Sequence, residues 1–130
     1  MKPLPEEWLR LADEDLQSAR VLYKEEIWSH VCFHAQQAIE KALKSLIETK
    51  GRVEKIHDLL ELAAEATNLG FHLESYRSQF EYLNQFYTSA RYPFLIATLP
   101  GGSPGQKEAD RALQGLEEFL RFVSLQIKKS

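Results

Sequence analysis

Along residues 30–46, HVCFHAQQAIEKALKSL, apolar side chains recur at intervals of three and four, the period of an α-helix. At about 100° per residue, Trp28, Val31, Cys32, Ala35, Ala38, Ile39, Ala42, Leu43 and Leu46 share one broad sector. His30, His34, Gln37, Lys41, Lys44 and Glu48 gather on the far side, within roughly 80° of one another. Such a helix must bury one face against other helices, and its alanines let a neighbour approach closely. Similar stripes predict helices over about Pro5–Lys24, Ile27–Lys50, His57–Asn68, Leu73–Arg91 and from Ser103 to about Lys128. Pro5 suits a first helical turn, Gly51 suits a left-handed cap and Gly70 closes the short third segment. Pro93 stops the fourth near Tyr92. Ser103, Pro104 and Gln106 read as a cap, a first-position proline and a capping-box partner. With no period-two run, the class is all-α: an up-and-down antiparallel four-helix bundle with an additional short helix.

At 130 residues this is one domain, 1–130, large enough for its own core, with 99–106, LPGGSPGQ, as a flexible loop before the last helix. A net charge of −3 and a pI near 5.8 argue against a broad surface for duplex DNA, though not against a small basic pocket. The single Cys32 can form no internal disulfide, and no apolar run reaches membrane-spanning length. The opening MKPLPEEW lacks the apolar stretch of a signal peptide. A cytoplasmic protein away from the membrane is expected.

Three places carry possible chemistry. Asp15 projects into the buried sector of the first helix, among Trp8, Leu11, Ala12, Leu16, Ala19, Leu22 and Tyr23. A carboxylate there needs a partner, with Arg91 the first choice and then Lys44 or Lys41. Such a pair either fixes helix register or orients Arg91 toward a phosphate. In YTSARYPF, 87–94, Arg91 lies in a last helical turn, where a cation suits the helix dipole. Between Tyr87 and Tyr92 it also suits two-pronged phosphate recognition beside a stacking face. His57 opens the third helix, where it either caps or faces Arg91.

Other chemistries fit less well. His30 and His34 stand one turn apart, but Val31 replaces the glutamate of a zinc-protease helix and Cys32 faces the core, so no metal is expected. No serine sits in a nucleophile elbow, and PGGSPG lacks the lysine and strand of a phosphate-binding loop. Phe33, on the polar side beside Gln36 and Glu40, suggests a second packing surface and hence a homodimer.

Taken together, ADEDLQSARVL, FHAQQAIEKALKSLIE, HDLLEL and YTSARYP resemble the HEPN domain family, the higher eukaryotes and prokaryotes nucleotide-binding domain, over roughly residues 8–125. QQAIEKALK at 36–44 and RYP at 91–93 are the most specific parts. The resemblance implies the same bundle, dimerisation through helix faces, and a nucleotidyltransferase partner in a toxin–antitoxin-like module. It implies a polar, nucleotide-related groove, and the charged row of the second helix together with Arg91 puts nucleotide or phosphate binding on Gln37, Lys41, Lys44, Arg91 and Tyr92, supported by Asp15, His57 and Tyr87; no cofactor is expected. Many such domains are metal-independent ribonucleases with a histidine four to six residues after an arginine. Here Arg91 is followed by YPFLIATLP, and the spacing Arg52–His57 falls in a loop. The expected function is therefore a non-catalytic module for a nucleotide or short RNA. Two alternatives stand beside it: an endoribonuclease with a rearranged Arg/His centre, using His57 or His34, and a structural dimeric adaptor.

Overall fold

The computed structural model describes residues 4–89, 99 and 101–129, and every regular element among them is helical. Helix α1 spans Leu4–Lys24, α2 Trp28–Glu48 and α3 Leu59–Asn68. A 3₁₀ turn at Glu74–Tyr76 leads into α4, Arg77–Asn84, and α5, Phe86–Ser89. Helix α6, Gln106–Lys129, closes the bundle. The bundle is up-and-down, as the four stripes require. The tight turn at 25–27 reverses the chain between α1 and α2, and Arg20 reaches Glu117 while the Tyr23 hydroxyl donates to Asp110 at the start of α6.

Local chemistry explains most boundaries. Helix α1 ends in paired backbone bonds from Glu26 N–H to the Tyr23 carbonyl and from Ile27 N–H to the Leu22 carbonyl, which put Glu26 at φ 59°. That left-handed conformation usually belongs to glycine and costs a side-chain-bearing residue about 1 kcal/mol. Gly70 takes the same role after α3 at φ 108°, as its sequence position suggests. Gly51 does not: α2 closes earlier, through Thr49 in the right-handed region, and Gly51 N–H simply continues the pattern to the Ile47 carbonyl.

Two further boundaries depart from expectation. The fourth segment is not one helix but the 3₁₀ turn, α4 and α5 in series, with a break at Gln85. Helix α6 starts at Gln106, later than Ser103–Pro104 suggest. Its cap is the Glu108 carboxylate accepting Gly105 N–H at 2.7 Å, half of a capping box with glycine in the cap position.

The core gathers around α2, which packs against α1, α3, α4, α5 and α6. Ile39, Leu43 and Leu46 from α2 meet Leu59 and Leu62 of α3, Phe80 and Leu83 of α4 and Leu116 and Phe119 of α6, all essentially inaccessible. Tyr76, Phe80 and Phe119 contact one another edge-on or tilted, with Tyr76 and Phe119 centroids 5.0 Å apart. Cys32 is buried as its spacing predicts, and burial pushes its thiol up to about 12. Because neighbours surround α2, Gln36, Glu40, Lys44 and Ser45 are buried too, positions that a single apolar sector does not include.

Candidate functional site

The polar edge of α2 divides into two clusters, each built on a buried carboxylate. On the α1 side the carboxylate is Asp15, which accepts Lys41 Nζ at 2.5 Å and His34 Nδ1 at 2.9 Å. Burial pushes the Asp15 carboxyl up, but the hydrogen bonds from His34 and Lys41 together with the charges of both outweigh it and hold the group below the usual carboxylate range. Asp15 is therefore paired, as its place in the apolar sector demands. Lys41 is among its expected partners; His34 is a partner that the helical stripe leaves on the surface. Arg91, the first choice, lies outside the described residues, as does Tyr92.

On the opposite side the carboxylate is Glu40 of α2 itself, its side chain only 5% exposed. One oxygen, Oε2, accepts Lys44 Nζ at 2.9 Å and His57 Nδ1 at 3.1 Å. The other, Oε1, is buried without a hydrogen-bond partner among the described residues. Lys44 therefore turns away from Asp15 toward its own helix, and its ammonium also lies 5.2 Å from the centre of the Trp8 ring. Gln37 Nε2 donates to Gln36 Oε1 at 2.6 Å, and Gln36 in turn reaches the His57 carbonyl at 3.4 Å. Gln37 thus braces the floor instead of standing free.

His57 owes its position to the residue after it. Asp58, not His57, caps α3, accepting Leu60 and Glu61 N–H at 2.9 and 3.0 Å. Asn84 from the end of α4 donates to Asp58 and accepts Leu59 N–H, tying the α3 start to α4. The hydrogen bond from Asn84 leads the effects that lower the Asp58 carboxyl below its ordinary value. With its backbone so fixed, His57 points its ring at Glu40 and stacks on Tyr87 of α5, centroids 4.9 Å apart and planes within 21°. Of the predicted residues, the fold thus joins Asp15 with Lys41, and Lys44 with His57 and Tyr87.

The residues missed by sequence reasoning are Gln36 and Glu40, while His34 enters it only as a candidate for a rearranged centre and not as a partner of Asp15. Their signal lay in QQAIEK, where glutamine and glutamate flank the apolar sector too closely to be fully wet.

In both clusters the negative charge sits beneath and a more exposed donor sits above it, Lys41 and His34 over Asp15 and His57 over Glu40, while Lys44 stays buried beside Glu40 at 7% exposed. Asp15 is 11% exposed against 26% for Lys41 and 28% for His34; Glu40 is 5% exposed against 51% for His57. Such layering presents the Lys41 ammonium and the two imidazoles to solvent while their counter-charges stay fixed below, an arrangement suited to an anion. Both imidazoles engage carboxylate through Nδ1, and neither Nε2 has a hydrogen-bond partner among the described residues. An imidazole oriented in this way can also move protons.

The HEPN domain model matches residues 5–127, almost the whole chain. The chain belongs to the HEPN domain family. Two solved structures agree with this HEPN domain in shape. The crystal structure of TT1696 from Thermus thermophilus superposes with a TM-score of 0.82 at 29% identity, covering 95% of this chain and 98% of that one. ST0689, described as an archaeal HEPN homologue, gives 0.76 at 26% identity, covering 98% and 99%. No curated protein matches the chain.

Proposed function

We propose that this HEPN domain is a non-catalytic recognition module that binds a nucleotide or the phosphates of a short RNA on the α2 edge. In this reading it works beside a nucleotidyltransferase in a toxin–antitoxin-like pair inside the cell. The observation that carries the reading is the layering of the two clusters, with Lys41, His34 and His57 outward over the buried carboxylates of Asp15 and Glu40. Tyr87, stacked on His57, adds an aromatic platform beside those donors. Arg91 and Tyr92, a few residues further along the chain, complete the proposed set, and the absence of a histidine after Arg91 supports binding without cleavage.

The test is calorimetric titration of nucleotides and short RNA into the protein and into Lys41→Ala, His57→Ala and Arg91→Ala. Binding weakened about tenfold or more in each, with thermal stability retained in Arg91→Ala, supports the reading. Unchanged affinity in all three rejects it. Co-purification with a nucleotidyltransferase encoded nearby tests the partner.

A second reading is favoured by the orientation of the imidazoles. His34 and His57, each aimed by a carboxylate through Nδ1, are equipped for acid–base work in a rearranged, metal-independent ribonuclease. RNA incubated with the protein in chelator separates the two. Cleavage abolished by His34→Ala or His57→Ala would replace the binding-only reading with this one.

A further inference from the structure

Helices α1 and α6 leave a groove of about 700 Å³ between them. Its α1 wall carries Glu6, Leu9, Asp13, Leu16 and Arg20, which recur at intervals of three, four, three and four. The α6 wall carries Glu117, Arg121, Ser124 and Lys128, at intervals of four, three and four. Leu9, Leu16 and Leu120 make an apolar floor, and Leu125 stands on the rim 57% exposed. Alternating steps of three and four are the spacing by which one helix lies along another in a coiled coil. Both walls thus offer that spacing to one further helix.

Charge borders the floor in the same rhythm. Arg20 crosses to Glu117 at 3.1 Å and closes one end, while Arg10 is engaged by Glu7 and Glu14. Glu6 and Asp13, one heptad apart on α1, have no side-chain partner among the described residues. Nor have Arg121 and Lys128, one heptad apart on α6. An apolar strip edged by charges at heptad intervals is how coiled-coil seams choose a partner and its orientation. The helices of this chain are already packed in its own bundle, so the occupant comes from elsewhere. A second copy would bring the same concave groove, and concave against concave leaves the leucine floor uncovered. A single convex helix reaches it.

We propose that the α1–α6 groove docks an amphipathic helix of a different protein. That helix spans about two heptads, since α1 rises ~21 Å from Glu6 to Arg20. Its apolar stripe covers the leucines, basic residues on one flank face Glu6 and Asp13, and acidic residues on the other face Arg121 and Lys128. Because the walls differ in sign, the flanks of the incoming helix also fix the direction in which it lies. Neither Phe33 nor any residue of the α2-edge clusters lines the groove, so this inference stands whether or not that edge binds a nucleotide.

The probe is a peptide of about 18 residues with leucine along its seam, lysine on one flank and glutamate on the other. Two controls keep the seam and carry lysine on both flanks or glutamate on both. Fluorescence anisotropy with the full chain should give the mixed peptide about tenfold higher affinity than either control, because each control sets like charges against one wall. Leu125→Asp should weaken the mixed peptide about tenfold. Glu6→Lys combined with Asp13→Lys makes both walls basic and should move the preference to the glutamate control. All three substituted side chains are exposed, so circular dichroism should be unchanged. No binding of the mixed peptide, equal affinity for all three peptides, or a preference indifferent to the wall reversal each overturns the proposal. So does sedimentation velocity in which Leu125→Asp splits a dimer of the 15.0 kDa chain, because a second copy then fills the groove.

Discussion

At the scale of single residues, the buried carboxylates decide what the α2 edge can tolerate. Glu40 and Lys44 are each less than a tenth exposed, so removing one charge strands the other where water cannot compensate. Glu40→Gln should lower stability by about 2–3 kcal/mol in urea unfolding, because the amide still offers an acceptor but no charge. Asp15→Asn should cost less, about 1–2 kcal/mol, since Lys41 and His34 are roughly a quarter exposed and can reach solvent. Equal losses for both would mean that burial does not set the scale. These residues also mark how far a sequence can be read. Asp15 announces its need for a cation because helical spacing fixes the angle at which a side chain leaves its own helix. Spacing says nothing of what a different helix brings opposite, so it offers Lys44 to Asp15 although Glu40 waits one turn away on the same helix. Glu40 itself sits between the apolar sector and the polar row, and only the neighbours around α2 make that angle interior.

At the scale of elements, the α4–α6 contact is set by a residue with no side chain. A Cβ on Gly115 would overlap Gln79 Oε1 and lie 2.5 Å from its Cδ, so that glutamine lies directly on the α6 backbone. Gly115→Ala gains helix propensity of about 1 kcal/mol but must swing the Gln79 amide aside, and the two effects should largely cancel, leaving stability within about 0.5 kcal/mol of the parent. In a Gln79→Ala background the same change should stabilise by about 0.5–1 kcal/mol, and a thermal double-mutant cycle measures the difference. The class, the order of helices and the faces of α1, α2 and α6 are legible in the sequence because long apolar stripes survive small errors of boundary. The ends are less so. Gly115 reads as an ordinary helical position, and the break at Gln85 divides a stripe whose periodicity runs straight through it. The α6 start is misread because a Ser-Pro pair mimics a cap that Gly105 and Glu108 actually provide.

At the scale of the whole molecule, acid should loosen the bundle in a defined direction. Asp15 and Asp58 both hold their protons less tightly folded than at the ordinary value of 3.8. Their contribution is therefore fully present above that value and is lost as pH falls below it toward their lowered folded values. Asp58, nearer to solvent, gives the smaller share. Thermal melts across this range should show a decline that Asp15→Asn makes shallower; an unchanged slope would remove Asp15 as a source of acid sensitivity.

The sulfhydryl at position 32 has a practical consequence. Sealed inside the central helix and with ionisation suppressed, Cys32 cannot meet an aqueous disulfide reagent while the bundle stays shut. Its modification rate becomes a built-in clock for the opening of the interior. Glu40→Gln should make that clock run faster in proportion to the stability it removes, and a rate indifferent to that substitution would mean the thiol is reached through a local breach.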